Sequence, residues 1–286
     1  MDRKSFVRTR SGVYRRFYKN RLSFVGGIIV LFALIVAIFA PWLAPQDPNQ
    51  TDTRLRLSPP RTHNYLLGTD EFGRDMLSRL IWGARTTLLV AFLATLMALI
   101  VGGLLGLLSG FFMGWFDILV MRLIDILMSF PYFMLAIAVI AALGPGLFNG
   151  MIAIAIVNVP FFTRIIRGVV LSLREMDYVE AVKVLGAGNF RVLIHHILLN
   201  CIPSIVVATT LNIGWMITAA AGLNFLGLGV QPPTADWGTM IAYGRQYLVV
   251  APHVAVIPGL AIFLTVLGFN LLGDGLRDAL DPRLKT

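Results

Sequence analysis

Five stretches of this chain, 22–46, 86–116, 126–163, 192–235 and 246–273, contain no Asp, Glu, Lys or Arg. Each can hold the roughly 20 apolar residues that cross a bilayer as a helix. Because lipid offers the backbone no hydrogen-bond partners, a helix is the form such a run must take there. The third stretch has 38 residues and carries GPGLFNG at 144–150, a turn signal that divides it into two crossings. The fourth, of 44 residues, opens on two histidines and closes on GLGVQPPTA, so it is expected to hold one crossing with polar flanks. The expectation is six spans near 22–43, 86–113, 119–143, 147–167, 202–228 and 251–273. They leave a basic tail over 1–21, an external segment over 44–85 and a polar segment over 168–200. With 57% hydrophobic and 14% charged residues, the chain is too apolar for an ordinary soluble domain. The fold class expected is an all-α integral membrane protein.

The first span follows RTRSGVYRRFYKNR, a basic start like that of a signal peptide. Its apolar run is long for one, however, and APWLAPQDP reads as a helix stop rather than a cleavage site. An uncleaved helix is expected. Six spans put both termini on one side. That side holds 17 of the 24 Lys and Arg residues, while the other holds seven, nearly balanced by Asp47, Asp52, Asp70, Glu71, Asp75 and Asp236. Basic residues gather on the cytoplasmic face, so both termini are expected inside. The net charge of +9 is then a signature of orientation, and no nucleic-acid partner is expected. Within 44–85, Asp75 is placed to cap a helix that extends the second span.

Little here supports chemistry on the chain itself. Cys201 is the only cysteine, which excludes an internal disulfide or thiol pair. His195 and His196 are adjacent, and neighbours on a helix point about 100° apart, a poor arrangement for a metal. No GxxxxGK[ST] loop, HExxH, GxSxG or cysteine cluster occurs. The expectation is therefore no catalytic, cofactor or metal site, with any ATP and magnesium held by other chains. Gly102, Gly106, Gly110 and Gly114 repeat every fourth residue and suit close helix packing. Pro131, Pro160 and Pro258 can bend spans. Asn158, Asn212 and Asn224 are deep polar residues, candidates either for lining a path or for hydrogen bonds between helices. An ion-coupled carrier, the alternative transporter class, would be expected to carry ionisable groups deep in its spans. Here Asp117, Arg122, Asp125, Arg164 and Arg167 all fall near span ends.

The segment DYVEAVKVLGAGNFRVLIHHILLN, 177–200, reads as a short amphipathic helix, a glycine turn and a return to the membrane. Tyr178, Ala181, Val182 and Leu185 share one face by their spacing. Such a helix can seat in a groove on a soluble partner or lie on lipid.

This segment resembles the EAA motif of inner-membrane permease subunits of ATP-binding cassette importers. Glu180, Ala181, Gly186 and Leu198 match it, while Val182, His196 and Leu199 stand where Ala, Ile and Pro are usual. LLGTDEFGRDMLSRLIWGAR, MRLIDILMSFP, LNFLGLGVQPPTADWGTM and NLLGDGLRDALDPRLK are similar to the dipeptide, oligopeptide and nickel branch, in the second of its two permeases. The resemblance implies the type I importer permease fold in a bacterial inner membrane. It implies that Glu180, Ala181, Val182, Gly186, His196 and Leu198 belong to a coupling loop for an ATPase. The implied partners are a second permease, two ATPase subunits and a soluble binding protein that delivers peptides or similar solutes.

Overall fold

The computed structural model describes residues 21–280, so the basic tail before Arg21 and the last six residues lie outside the described residues. Nine α-helices of eight or more residues, named here in chain order, organise the described residues. They are α1 (Arg21–Ile38), α2 (Met76–Phe112), α3 (Gly114–Ser129), α4 (Tyr132–Leu143), α5 (Leu147–Arg174), α6 (Asp177–Val184), α7 (Leu199–Phe225), α8 (Trp237–Gly244) and α9 (His253–Leu280). No strand occurs among the described residues. The fold is all-α.

Five helices are long and apolar enough to cross a membrane: α1, α2, α5, the continuous run Asn189–Phe225 that includes α7, and α9. The third expected span is not straight. Its two halves, α3 and α4, meet at 96° across a short break. Pro131 explains the corner, since its ring drives the preceding residue out of helical space, and Phe130 sits at φ −90°, ψ 139°. The second span is longer than its charge-free run. The Asp75 carboxylate accepts from the amides of Leu77 and Ser78, so α2 starts at Met76 and runs 37 residues. That is about 55 Å at 1.5 Å per residue.

Helix α2 is the axis of packing. Its buried side includes Ala84, Leu88, Ala91, Thr95, Ala98, Gly102, Gly106 and Ser109, mostly small residues at spacings of three and four. Small side chains let a second backbone come close, and α5 does. A Cβ placed on Gly102 would lie 2.5 Å from the Val159 carbonyl oxygen, and one on Gly106 would lie 2.5 Å from that of Thr163. Gly114 does not continue this stripe. It is the first residue of α3, past the break at Met113, and has positive φ. Similar close packing joins α1 to α9, where Gly26 meets the backbone at Gly268 and Leu272. The outward face of α2, with Leu89, Leu93, Leu96, Ile100 and Leu104, stays exposed, as lipid-facing residues do.

The contact predicts its own failure. Gly106→Val should lower the thermal midpoint of the purified protein by at least 5 °C, because overpacking a tight contact costs about 1–3 kcal/mol. Gly168→Ala on α5, where an added Cβ meets nothing within 4 Å, should leave it unchanged or raise it. Thermal unfolding in detergent checks both.

Candidate coupling site

Helix α6 follows α5 after a turn at Glu175 and Met176. It ends on a glycine for a geometric reason. Gly186 has φ +85°, its amide bonds to the Lys183 carbonyl, and the Ala187 amide bonds to that of Val182. This pair of bonds is the Schellman closure, which needs a left-handed residue and favours glycine. Val182 and Ala187, the residues this closure brings together, both pack on the core. The inward face therefore differs from the one expected. Val179 is fully buried and Val182 half-buried, whereas Tyr178, Ala181 and Leu185 are exposed along with Glu180. The correction follows from Val179 and Val182 anchoring the helix at spacing three. What remains outward is apolar at the turn: Val184 is 81% exposed, Leu185 86% and Phe190 76%.

The return to the membrane is helical throughout. Residues Val192–Leu198 form a π-helical segment, so α7 is reached with no break at Leu199, itself in helical conformation. The wider π register frees carbonyls from their usual partners. One is taken up by side chains: the His196 carbonyl accepts from the Asn200 amide at 2.6 Å and from the Tyr178 hydroxyl at 3.2 Å. Tyr178 thus ties α6 to the base of α7. Burial raises the Tyr178 pKa, which keeps the phenol protonated as a donor at neutral pH. Lys183 adds a cation–π contact, its Nζ 5.9 Å from the ring centre of Phe111 at the end of α2. Of the motif residues, His196 contributes through its backbone and Leu198 is half-buried.

The three deep asparagines are buried. Asn158 on α5 and Asn212 on α7 face each other, with the Asn158 amide donating at 2.7 Å to the Asn212 carbonyl oxygen. Asn224 is drawn to the other end of the molecule. Its amide donates at 2.7 Å to Asp236, and its carbonyl oxygen accepts from the Val230 amide. Asp236 also accepts from the Thr87 hydroxyl at 2.7 Å and from the amides of Gly238 and Thr239, capping α8. Burial raises its pKa against the lowering effect of these donors.

A second polar cluster lies beside it. Asp70, Arg74, Asp75 and Arg79 are each buried. Arg74 pairs with Asp70 at 2.6 Å, and Arg79 approaches the same carboxylate at 3.3 Å. Arg79 further donates to the carbonyls of Pro48 and Pro233, so one guanidinium joins the segment 44–75 to the loop before α8. Burial and then Asp70 raise the pKa of Glu71.

Comparison with known proteins gives this arrangement its family. Residues 102–286 match the inner membrane component of binding-protein-dependent transport systems, and residues 11–60 match the N-terminal transmembrane domain of oligopeptide transport permease C. The chain belongs to this permease family. A dipeptide transport system permease protein, DppC, from Alkalihalophilus pseudofirmus is 47% identical over 96% of this chain and 90% of its own length. A glutathione transport system permease protein, GsiD, from Shigella flexneri is 48% identical over 95% of this chain and 90% of its own. The methionine ABC transporter MetNI in an inward-facing form aligns with a TM-score of 0.60 at 19% identity, covering 72% of this chain and 98% of that one. The likeness is one of fold. This chain is thus a multi-pass permease subunit of an ATP-binding cassette importer, and the ion-coupled alternative has no support among these relatives.

In this permease, Tyr178, Asn200 and Asp236 take roles that pattern reading does not assign them. An aspartate in a proline-rich loop reads as solvent-exposed. The signal that could have marked it was TADWGT itself, since Asp followed by a short apolar helix is an N-cap pattern. Asp236→Ala would orphan the Thr87 and Asn224 donors, at about 1–3 kcal/mol each, and should lower the thermal midpoint by more than 5 °C. The pH dependence has a definite sign. An acid whose pKa is raised on folding contributes stability that is fully present below its unfolded value, ~3.9 for Asp, and lost as pH rises through the folded value. Acidification from neutrality should therefore stabilise the parent relative to Asp236→Asn, measured as the difference in midpoint across the titration.

Proposed function

We propose that this permease pairs with a second, homologous permease to form the path for peptides or peptide-like solutes such as glutathione. A soluble binding protein delivers them to the external face formed in part by 44–85. Two ATPase subunits, which hold the ATP and magnesium, drive the cycle from the other side. Both termini and the segment 168–200 are cytoplasmic in this reading, as the bias of basic residues supports. The named relatives are permeases of dipeptide and glutathione transport systems, and that is the support for the substrate class.

One observation carries the coupling role. Helix α6 is fixed on its inner side by Val179 and Val182, closed by Gly186, and turns Val184, Leu185 and Phe190 outward. An exposed apolar patch on a rigid helix end is what a groove on another protein can receive. Closing of the ATPases would then move α6, and the Tyr178 and Lys183 contacts would pass that motion to α7 and α2. Such transmission needs an element with two arrangements that a ligand biases. The buried asparagines are assigned to holding helices together, with Asn158 and Asn212 joining α5 to α7.

Gly186→Val forces a β-branched residue into left-handed space, at about 1–2 kcal/mol, and should reduce ATP-driven uptake in the reconstituted transporter at least tenfold while the protein stays inserted. Glu180→Ala should reduce uptake in the same direction. Normal uptake together with normally stimulated ATP hydrolysis in both variants would remove the coupling role.

A further inference from the structure

The most conspicuous charges outside the clusters already described belong to an ion pair between two membrane helices. Arg164 of α5 donates to Asp125 of α3 at 2.6 Å, yet the two side chains remain 49% and 51% exposed. Nearby, Arg167 and Asp117 form a closer bidentate pair at 2.6 and 2.7 Å, largely covered on the Asp117 side. Arg164 lies 17 residues along α5 from Leu147, about 26 Å at 1.5 Å per residue, within the roughly 30 Å thickness of the hydrocarbon. That puts the pair near the cytoplasmic end of the span, where charged groups reach water or face protein rather than lipid tails.

The surrounding surface fits water. From Phe161 to the end of α5, the exposed residues are Phe161, Arg164, Gly168 and Ser172, at spacings of three and four. Beyond the aromatic ring this stripe is polar or bare, and nothing stands within 4 Å of an added Cβ at Gly168. Opposite, α3 exposes Arg122, Asp125 and Ser129 at the same spacings, flanked by the exposed apolar side chains of Ile118, Leu123 and Ile126. A lipid-facing stripe would be apolar, as the outward face of α2 is. The two polar stripes meet at the Arg164–Asp125 pair.

We propose that this seam lines the cytoplasmic half of the translocation path, and that the half-exposed pair offers a cation and an anion to solutes carrying both charges. This rests on the import reading above. With its ion pair intact the seam has one extra cation, Arg122, and removing either partner shifts its charge in a set direction. Neither arginine nor aspartate is a coupling residue. Their role is to set the charge of the wall past which a solute moves.

The test uses the complete transporter in inside-out vesicles, with Cys201→Ala as background and Ser129→Cys or Ser172→Cys as reporters. Both thiols should react from the cytoplasmic side with a sulfonate-bearing methanethiosulfonate reagent, and ATP with vanadate should slow both at least fivefold. At residue 129, the ratio of the sulfonate rate to that of a trimethylammonium reagent should rise at least threefold in Asp125→Asn and fall at least threefold in Arg164→Gln. Unreactive thiols would overturn the seam and place this face against the second permease, and a ratio unmoved by both variants would overturn the role of the pair. Failure of parent vesicles preloaded with the binding protein and dialanine or glutathione to release the solute on addition of ATP counts against the import reading, whereas unreactive thiols count against the seam whatever the transport.

Discussion

Everything in this molecule is built around the near-contact of two backbones, α2 and α5, at Gly102 and Gly106. In lipid the hydrophobic effect does not drive helices together, so close van der Waals packing must. A stripe of alanine and glycine is how this sequence obtains it. With α2 and α5 locked, Asn158 can reach Asn212 on α7 at 2.7 Å, and α3 can lay Val120 and Ile124 beside Val159 of α5. The long helix also spans the distance between the two polar ends. Thr87 near its start meets Asp236, and Phe111 at its end meets Lys183.

Those two ends are built differently. On the side of 44–75 the charges are buried and paired: Asp70 serves two arginines, Asp236 accepts from four donors, and Arg79 holds two carbonyls. Breaking such a network leaves a charge without a partner, which is more damaging than never having built it. The result is a rigid cap at that end of the bundle. On the other side, α6 is held by two valines, a tyrosine and a glycine closure, and its outer surface is left open. An importer permease needs this asymmetry if a partner is to push on one end while the other keeps its shape.

The membrane layout was legible in the charge-free runs, because the absence of Asp, Glu, Lys and Arg over 20 residues has one structural meaning in this setting. The start of α2 was legible too, in Asp75. The corner at Pro131 was noted as a possible bend, but its size depends on how α4 packs, which no local pattern encodes. The inward face of α6 was misassigned because a helix of eight residues offers several apolar stripes, and only the neighbouring helices select Val179 and Val182. The buried state of Asp70, Arg74 and Asp236 was hidden for a related reason. Thr87 lies 149 residues from Asp236, and although Arg74 is only four residues from Asp70, what covers that pair is set by the rest of the fold, so both read as solvated charges in a loop. Gly186 was legible as the residue of a tight turn, while the Tyr178 and Asn200 contacts, which depend on a π-helical register, left no trace in composition or spacing.

The central claim is that the open end of α6 is a surface for an ATP-binding subunit. The most direct measurement places a photoreactive benzoylphenylalanine at Val184, 81% exposed at the tip of that helix, in membranes containing the whole transporter. The account predicts one dominant crosslinked product, containing this permease and an ATP-binding subunit. Crosslinking to lipid alone, or to the second permease alone, would contradict it.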